Sequence, residues 1–361
     1  MNIKPPDYIL SITPYSPGKP IEELERELGI QGSIKLASNE NPLGPSPLAV
    51  DAIRQGLDRL HRYPDGSGYY LVEKLADFLG VNRQQIVLGN GSDDIIGMLT
   101  KAMLYPGDEV VMTDPSFSMY EITTRVANAV PVTVPLDGLA IDLEAVLGAV
   151  TPKTRMVFLT NPNNPTGTII SWAAFEAFMA KLPAGVILVM DEAYIEFVRE
   201  PDCLNGLEAL ADERVVVLRT FSKAYGLAGL RVGYGVMSPE LAALLNRIRQ
   251  PFNVNSLAQA AAIAALDDTA FLARTLETVH GGLDFLCEAL AERNIPCYPS
   301  QANFFLIDLQ KAADPVFDAL LKKGVIVRSM RSYGYPDYIR VTVGTHEENV
   351  RFLNVLAEVL P

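Results

Sequence analysis

Lys223 stands in the stretch Thr220-Phe221-Ser222-Lys223-Ala224-Tyr225-Gly226-Leu227-Ala228-Gly229-Leu230-Arg231, directly behind an apolar run at 215–218. The run reads as a buried strand, so Ser222 and Lys223 fall where that strand opens into a glycine-rich turn. An amine, a hydroxyl and, eight positions after the lysine, a guanidinium then gather around one small anion. That set suits a pyridoxal phosphate (PLP) site, with the lysine forming a Schiff base while Ser222 and Arg231 hold the phosphate. A lone Ser-Lys pair is more often a solvated lysine beside a loop, so the assignment needs companions elsewhere in the chain.

Asp191 is the first companion. It ends the apolar run 186–190, where a carboxylate is costly unless paired. The pyridine nitrogen of PLP offers a partner, and an ionised Asp191 would keep that nitrogen protonated so that the ring acts as an electron sink. The plainer alternative is a helix cap. Tyr194, three residues on, is placed to reach the cofactor's ring oxygen. Asn161-Pro162-Asn163-Asn164-Pro165-Thr166-Gly167 has the composition of an ordinary turn, yet an asparagine amide there would join Tyr194 at the same oxygen. Two donors would hold that oxygen as an anion and lower the Schiff base's proton affinity.

Gly89-Asn90-Gly91-Ser92-Asp93-Asp94 lies between a strand and a helix and does not match GxGxxG. Its glycines permit a tight turn, and the amides of Gly91, Ser92 and Asp93 would face an anion at the helix start. Simple capping fits too, with Ser92 as N-cap and the two aspartates on the positive end of the helix dipole. The aspartates mean that amides and the Ser92 hydroxyl, not carboxylates, would bind a phosphate. Phe117, in Asp114-Pro115-Ser116-Phe117, would stack on the pyridine face or serve as a core aromatic.

Elements that alternate between helix and strand must position these groups. Helices are expected at 47–60, 70–78 (closed by Gly80) and 92–104, and strands at 85–88, 109–112, 155–159, 186–190 and 215–218. Runs apolar on both faces indicate an α/β fold, a mostly parallel sheet flanked by helices, with function at the carboxyl ends of the strands. Asn161, Asp191 and Lys223 all fall there. Beyond Pro239 helices dominate to about 293, with a hinge near Pro251-Phe252-Asn253. Strands at 303–309 and 338–343 then flank a helix at 314–323, an α+β pattern. The expected organisation is an N-terminal arm over 1–35 packed with a smaller C-terminal domain over 251–361, and a large PLP-binding domain over 36–250.

The composition is that of a folded protein, 361 residues with 49% hydrophobic and 20% charged. A net charge of −13 argues against a nucleic-acid or anionic-membrane partner. Residues 1–10 contain Lys4 and Asp7 and no apolar signal core, and no run is long enough to span a bilayer. Cys203, Cys287 and Cys297 are expected as reduced thiols in a cytoplasm. Three scattered histidines and these cysteines give no metal-site spacing, so no metal is expected.

With these pieces in place, the chain resembles the fold-type I PLP enzymes of the aspartate aminotransferase superfamily, and among them most resembles the histidinol-phosphate aminotransferases. The marks cover nearly the whole chain. They are Pro14-Tyr15-Ser16-Pro17-Gly18-Lys19, Ser38-Asn39-Glu40-Asn41-Pro42-Leu43-Gly44, Arg62-Tyr63-Pro64-Asp65, Asn163-Asn164-Pro165-Thr166-Gly167, the Lys223 loop with Arg231, and Tyr338-Ile339-Arg340-Val341-Thr342-Val343-Gly344. The resemblance implies Lys223 as cofactor attachment and proton carrier, with Asp191 at the ring nitrogen. It puts Tyr194 and Asn164 at the ring oxygen, with Phe117 stacked where many relatives carry tyrosine. Gly91, Ser92, Asp93 (through its backbone), Ser222 and Arg231 would hold the phosphate. Tyr63 would reach it from the neighbouring subunit of a homodimer. Arg340 would bind the substrate anion, and Tyr15, Asn41 and Arg328 would line the substrate side.

The activity implied is amino transfer from histidinol phosphate to 2-oxoglutarate, one pocket accepting a phosphate and a dicarboxylate in turn, which a guanidinium fork suits. An aromatic amino acid aminotransferase shares the same catalytic set, and a threonine-phosphate decarboxylase shares the scaffold. A non-catalytic PLP-binding regulator fits less well, given the full residue set and acidic charge. A nicotinamide dehydrogenase lacks its glycine pattern.

Overall fold

The valine-rich runs become strands in the computed structural model, which describes residues 4–15 and 17–360. In chain order they are β1 (Ile34–Lys35), β2 (Ile86–Gly89), β3 (Glu109–Asp114), β4 (Val130–Pro135), β5 (Thr154–Thr160), β6 (Ile187–Asp191), β7 (Val215–Thr220), β8 (Gly233–Val236), β9 (Phe304–Asp308), β10 (Val325–Ile326), β11 (Arg328–Ser329) and β12 (Tyr338–Thr342). Seven form the main sheet in the order β2-β8-β7-β6-β5-β3-β4. The five strands from β7 to β4 run parallel, while β8 is antiparallel to both β2 and β7.

Both faces of this sheet are apolar because successive side chains alternate sides and each side carries a helical layer. Val110, Met112, Phe158, Val216 and Leu218 meet Ile95, Leu99, Leu241 and Leu245 from helices Ser92–Met103 and Pro239–Ile248. Val111, Val157, Leu159, Val215 and Val217 meet Phe175 and Phe178 from helix Trp172–Met179. Each fully buried side chain of this kind contributes roughly 1.5–3 kcal/mol.

The expected helices form with small shifts. The one opened by Pro47 is capped by the Ser46 hydroxyl and stops at Gly56, followed by a 3-10 turn at Leu57–Arg59. The next, Tyr69–Leu79, ends at Gly80 with φ 69°, a left-handed cap that favours glycine. Two strands of the main sheet carry no signal of their own. β4, on the half-exposed sheet edge, contains two prolines, Pro131 and Pro135, and β8 is Gly-Tyr-Gly-Val. β8 forms because β2 and β7 offer it ladders on both sides.

The C-terminal part has the expected α+β character: an antiparallel sheet, β11-β12-β9, with helices Thr269–Ala291, Ala313–Lys322 and His346–Val359. Strand β1 pairs in parallel with β10, and the Thr342 amide donates to the Leu36 carbonyl at 2.9 Å. The segment after β1 is therefore strung along β12 before it enters the site. In the turn at Pro251-Phe252-Asn253, Asn253 Nδ2 donates to the Leu88 carbonyl (3.0 Å) and to Asp94 (2.9 Å).

The expectation of three separate thiols is corrected. Cys287 and Cys297 are joined as a disulfide, with S–S 2.17 Å and Cα atoms 5.7 Å apart, and Cys203 is free. The chain turns back at Asn294 (φ 55°) after the helix and brings the two cysteines side by side. Among the described residues no helix is long and apolar enough to cross a membrane. Ser16, within the motif at 14–19, lies outside the described residues.

Candidate active site

A cavity of about 360 Å³ opens beyond the carboxyl ends of β5, β6 and β7, and their last residues, Thr160, Asp191 and Thr220, stand on its wall. Its lining brings together Lys223, Asp191, Tyr194, Asn164, Phe117, Gly91, Ser92, Asp93, Ser222, Arg231, Tyr15, Arg328 and Arg340. A larger cavity of about 730 Å³, between Pro17–Lys19 and helix Ala313–Lys322, holds none of the lysine, carboxylate and tyrosine set.

Two expected residues stand elsewhere. Asn41 does not line the cavity: its Nδ2 donates to the Ala224 carbonyl (2.9 Å) and to Thr275 (3.1 Å), so it ties down the loop after Lys223. Tyr63 is 84% exposed and stacks on Phe252 with ring centroids 4.8 Å apart, outside this cavity.

Lys223 follows β7 because Thr220 ends the ladder and the chain turns through Gly226 at φ 70°. A side chain at Gly226 would press into the Gly44 carbonyl and Pro45 backbone, so the loop can close only with glycine. The Lys223 ammonium donates to the Ser38 carbonyl at 3.1 Å and lies 5.6 Å from the Tyr194 ring centroid. Burial, then the nearby Arg340 guanidinium, lowers its pKa to about 8.

Asp191 is 4% exposed. Its Oδ2 accepts from the Tyr120 hydroxyl at 2.7 Å, and its Oδ1 from the Ala193 amide at 3.2 Å. Burial pushes the carboxyl up to about 6, and the Tyr120 bond pulls the other way. Tyr194 is buried against Phe304, and its hydroxyl accepts from Asn39 Nδ2 at 2.9 Å. Burial raises the phenol to about 12, partly offset by Arg340 and the Asn39 bond.

Tyr120 and Asn39, which hydrogen-bond Asp191 and Tyr194, were not singled out by sequence reasoning. Asn39 lay inside a quoted motif, and its backbone at φ 56°, pinned to Thr342 Oγ1 at 2.9 Å, is what aims it. Tyr120 offered only its place three residues after Phe117.

At the anion end, Gly91 rather than the expected Ser92 occupies the N-cap position, with φ 88° and no side-chain cap; Ser92 is the first helical residue. A Cβ at Gly91 would collide with the Asp93 carboxylate and the Arg231 guanidinium. A Cβ at Gly233 would come within 2.6 Å of the Ser92 nitrogen, so β8 can lie against the helix start only as glycine. Arg231 Nη2 donates to Asp93 Oδ1 at 2.9 Å, and Ser222 lies beside them at 7% exposure. These glycines leave a cradle of amides, hydroxyl and guanidinium that side chains would fill.

At the opposite wall Arg340 is 6% exposed. It donates to Asn164 Oδ1 and, at 2.9 Å, to the Ala37 carbonyl, while its Nε is buried without a partner. Arg328 is its register partner across β11 and β12. Asn161, by contrast, is spent on structure, donating to the Leu204 carbonyl (2.9 Å) and accepting from the Ile170 amide (2.8 Å).

Comparison with known proteins agrees with this geometry. The model of the family described as aminotransferase class I and II matches residues 31–356. The histidinol-phosphate aminotransferase of Moorella thermoacetica is 49% identical, covering 98% of this chain and 92% of that protein. Histidinol-phosphate aminotransferase 2 of Methylococcus capsulatus is 50% identical over 98% of this chain and 97% of its own. Among solved structures, histidinol-phosphate aminotransferase from Sinorhizobium meliloti in complex with pyridoxal-5'-phosphate superposes with a TM-score of 0.91 at 31% identity, covering 98% and 96% of the two chains. A double mutant of Thermus thermophilus aspartate aminotransferase gives 0.85 at 25% identity, over 99% and 100%. With a lysine, a carboxylate and an amide cradle around one cavity, and with these relatives along its whole length, the chain belongs to the class I and II aminotransferase family.

Proposed function

We propose that the protein is a PLP-dependent histidinol-phosphate transaminase of histidine biosynthesis. It would move an amino group from L-histidinol phosphate to 2-oxoglutarate and release imidazole acetol phosphate and glutamate. The observation that carries this reading is one cavity holding a Lys223 amine, a buried Asp191 carboxylate and the Gly91–Arg231 cradle, in a chain 49% identical to a histidinol-phosphate aminotransferase along nearly its whole length.

The residues present fit PLP: a cradle that a Cβ would fill, and a buried carboxylate that, among the described residues, is hydrogen-bonded by neutral donors and makes no salt bridge. Gly91, Ser92, Asp93 (by its amide), Ser222 and Arg231 would hold the phosphate, Phe117 the ring face, Tyr194 and Asn164 the ring oxygen. Bound through the Lys223 amine, PLP supplies a sink for the electron pair left at the substrate's Cα. Asp191, ionised above about pH 6, holds a proton at the ring nitrogen. Tyr194 keeps its proton up to about pH 12 and so donates. Arg340 occupies Asn164 Oδ1, which leaves the Asn164 amide hydrogens to donate. Once the substrate amine has taken its place, Lys223 carries the proton from Cα, a task suited to an amine lowered to about 8. Arg340 and Arg328 receive the phosphate of one substrate and a carboxylate of the other, with Tyr15 on the same wall. Asn41 serves by anchoring the Lys223 loop.

On this reading residues 36–250 are the cofactor domain, and the arm 1–35 belongs with the smaller domain 251–361. The enzyme works as a cytoplasmic homodimer. Tyr63, exposed and outside its own cavity, then reaches the site of the neighbouring subunit.

The test is to add histidinol phosphate, with no keto acid, to the PLP-loaded protein. The absorbance of lysine-bound PLP should give way to that of pyridoxamine phosphate, and 2-oxoglutarate should reverse the change. A spectrum that ignores histidinol phosphate and responds to phenylalanine or tyrosine would overturn the substrate assignment in favour of an aromatic aminotransferase.

A further inference from the structure

Asp191 is held by a group that no motif in the chain advertised. Tyr120 is completely buried, its ring stacked on Phe158 with centroids 4.5 Å apart and planes 2° from parallel. Phe117 meets it edge-on at 5.6 Å. A ring gripped in this way cannot swing, so its hydroxyl has one address. That hydroxyl lies 2.7 Å from Asp191 Oδ2 and 2.9 Å from Thr160 Oγ1. A phenol has a single proton and an ionised carboxylate only accepts, so the Tyr120 proton goes to Asp191 and Thr160 must donate to Tyr120. A three-member chain results, Thr160 to Tyr120 to Asp191, running between the ends of β5 and β6.

We propose that Tyr120 is a positioning residue for the cofactor: supported by Thr160, it fixes the Asp191 carboxylate in the one orientation, and in the charged form, that meets the pyridine nitrogen. The inference rests on the PLP reading above.

The kind of partner matters as much as the distance. A guanidinium or ammonium at this place would neutralise Asp191 and compete with the ring nitrogen for it. Neutral donors, the Tyr120 hydroxyl on Oδ2 and the Ala193 amide on Oδ1, stabilise the anion and leave its charge unspent. They also leave each oxygen an acceptor site on the cavity side. A buried carboxylate without them would protonate more readily and lose its hold on the ring nitrogen's proton.

The experiment compares two cofactors on the apoprotein, PLP and its 1-deaza analogue, in which the ring nitrogen is a carbon. Tyr120→Phe keeps the ring and its packing and deletes only the hydroxyl. Wild-type protein should prefer PLP over the analogue, and Y120F should bind PLP about tenfold more weakly while binding the analogue within about twofold of wild type. Thr160→Val, one step further back, should shift the same preference in the same direction by about two- to threefold, and it carries the test should Y120F fold poorly. Equal weakening toward both cofactors would make Tyr120 a packing residue and overturn the proposal, as would no weakening toward either. A wild-type protein with no preference between the two would instead sink the reading of Asp191 as the nitrogen's partner, and the proposal with it.

Discussion

Asp191, the last residue of β6, and Glu192, the next, are consecutive carboxylates, 4% and 0% exposed, and they have opposite fates. Asp191 faces the cavity and is met by neutral donors. Glu192 faces the other way, where its Oε2 accepts from Arg219 Nε at 3.0 Å and Nη2 at 2.7 Å, and its Oε1 from the Gly206 amide. Arg219 in turn donates to Asn205 Oδ1 at 2.8 Å. The pair thus staples β6, β7 and the 205–206 loop together. Burial raises the pKa of Glu192, and Arg219 opposes it. One carboxylate has its charge consumed by the fold, and its neighbour has its charge kept available. Strand alternation alone sends them to opposite sides. What separates structure from chemistry at this place is the charge of the partner, not the degree of burial.

The largest expected effect tests the structural half of that contrast. Glu192→Gln strips the buried Arg219 of its hydrogen-bonded counter-ion and should lower stability by about 3–5 kcal/mol, read from urea unfolding of the PLP-free protein with its slope unchanged. Asp191→Asn removes a buried charge that makes no salt bridge among the described residues, so it should cost far less or stabilise. Replacing Glu192 and Arg219 together by Gln and Met should recover most of the loss, since the buried guanidinium leaves with its partner. Equal stability losses for D191N and E192Q would erase the distinction.

Catalysis should show the reverse ranking. D191N should slow amino transfer on the order of a hundredfold to a thousandfold, the scale of losing one preorganised electrostatic group. E192Q, assayed where it is folded, should stay within about tenfold of wild type. An E192Q loss as large as that of D191N would mean that the staple and the site are one unit.

How legible this was in the sequence depended on distance along the chain. Asp191 and Lys223 could be read because each follows an apolar run that had to be a strand, and strand ends are where such folds keep their chemistry. The glycine turn at Gly91 was readable from local rules, though the cap fell one residue earlier than Ser92. Tyr120 was not readable: its partner is 71 residues away, and only the order of β3, β5 and β6 brings them together. Asn164 and Arg340 were both singled out as site residues, yet the contact between them, 176 residues apart, was not readable, nor was that between Asn39 and Thr342, 303 apart. Asn41 is the complementary case, in which the residue stood out and its bond to the Ala224 carbonyl did not. Strand β8 escaped notice because its two glycines erase strand propensity, Gly233 being required for close approach to Ser92 and Gly235 packing against Met237, Leu218 and Ile95.

The smallest effect sharpens the contrast through pH. In the PLP-free protein the Asp191 carboxyl is raised by burial to about 6 from 3.8. A folded-state pKa above the unfolded value gives a contribution that is fully present below about pH 4 and is lost as pH rises through about 6. Wild type should therefore lose stability relative to D191N across that window, by at most about 3 kcal/mol. Lys223 has the opposite sign: lowered to about 8 from 10.5, its contribution is present above the unfolded value and is lost as pH falls through about 8. Capture of PLP needs the free amine, so its second-order rate should rise about tenfold per unit below pH 8 and level off above. Rapid-mixing absorbance at a series of pH values reads this directly. A flat profile from pH 6 to 9 would mean that Lys223 stays neutral throughout, and that the Arg340 guanidinium and burial together depress it further than the geometry of the cavity implies.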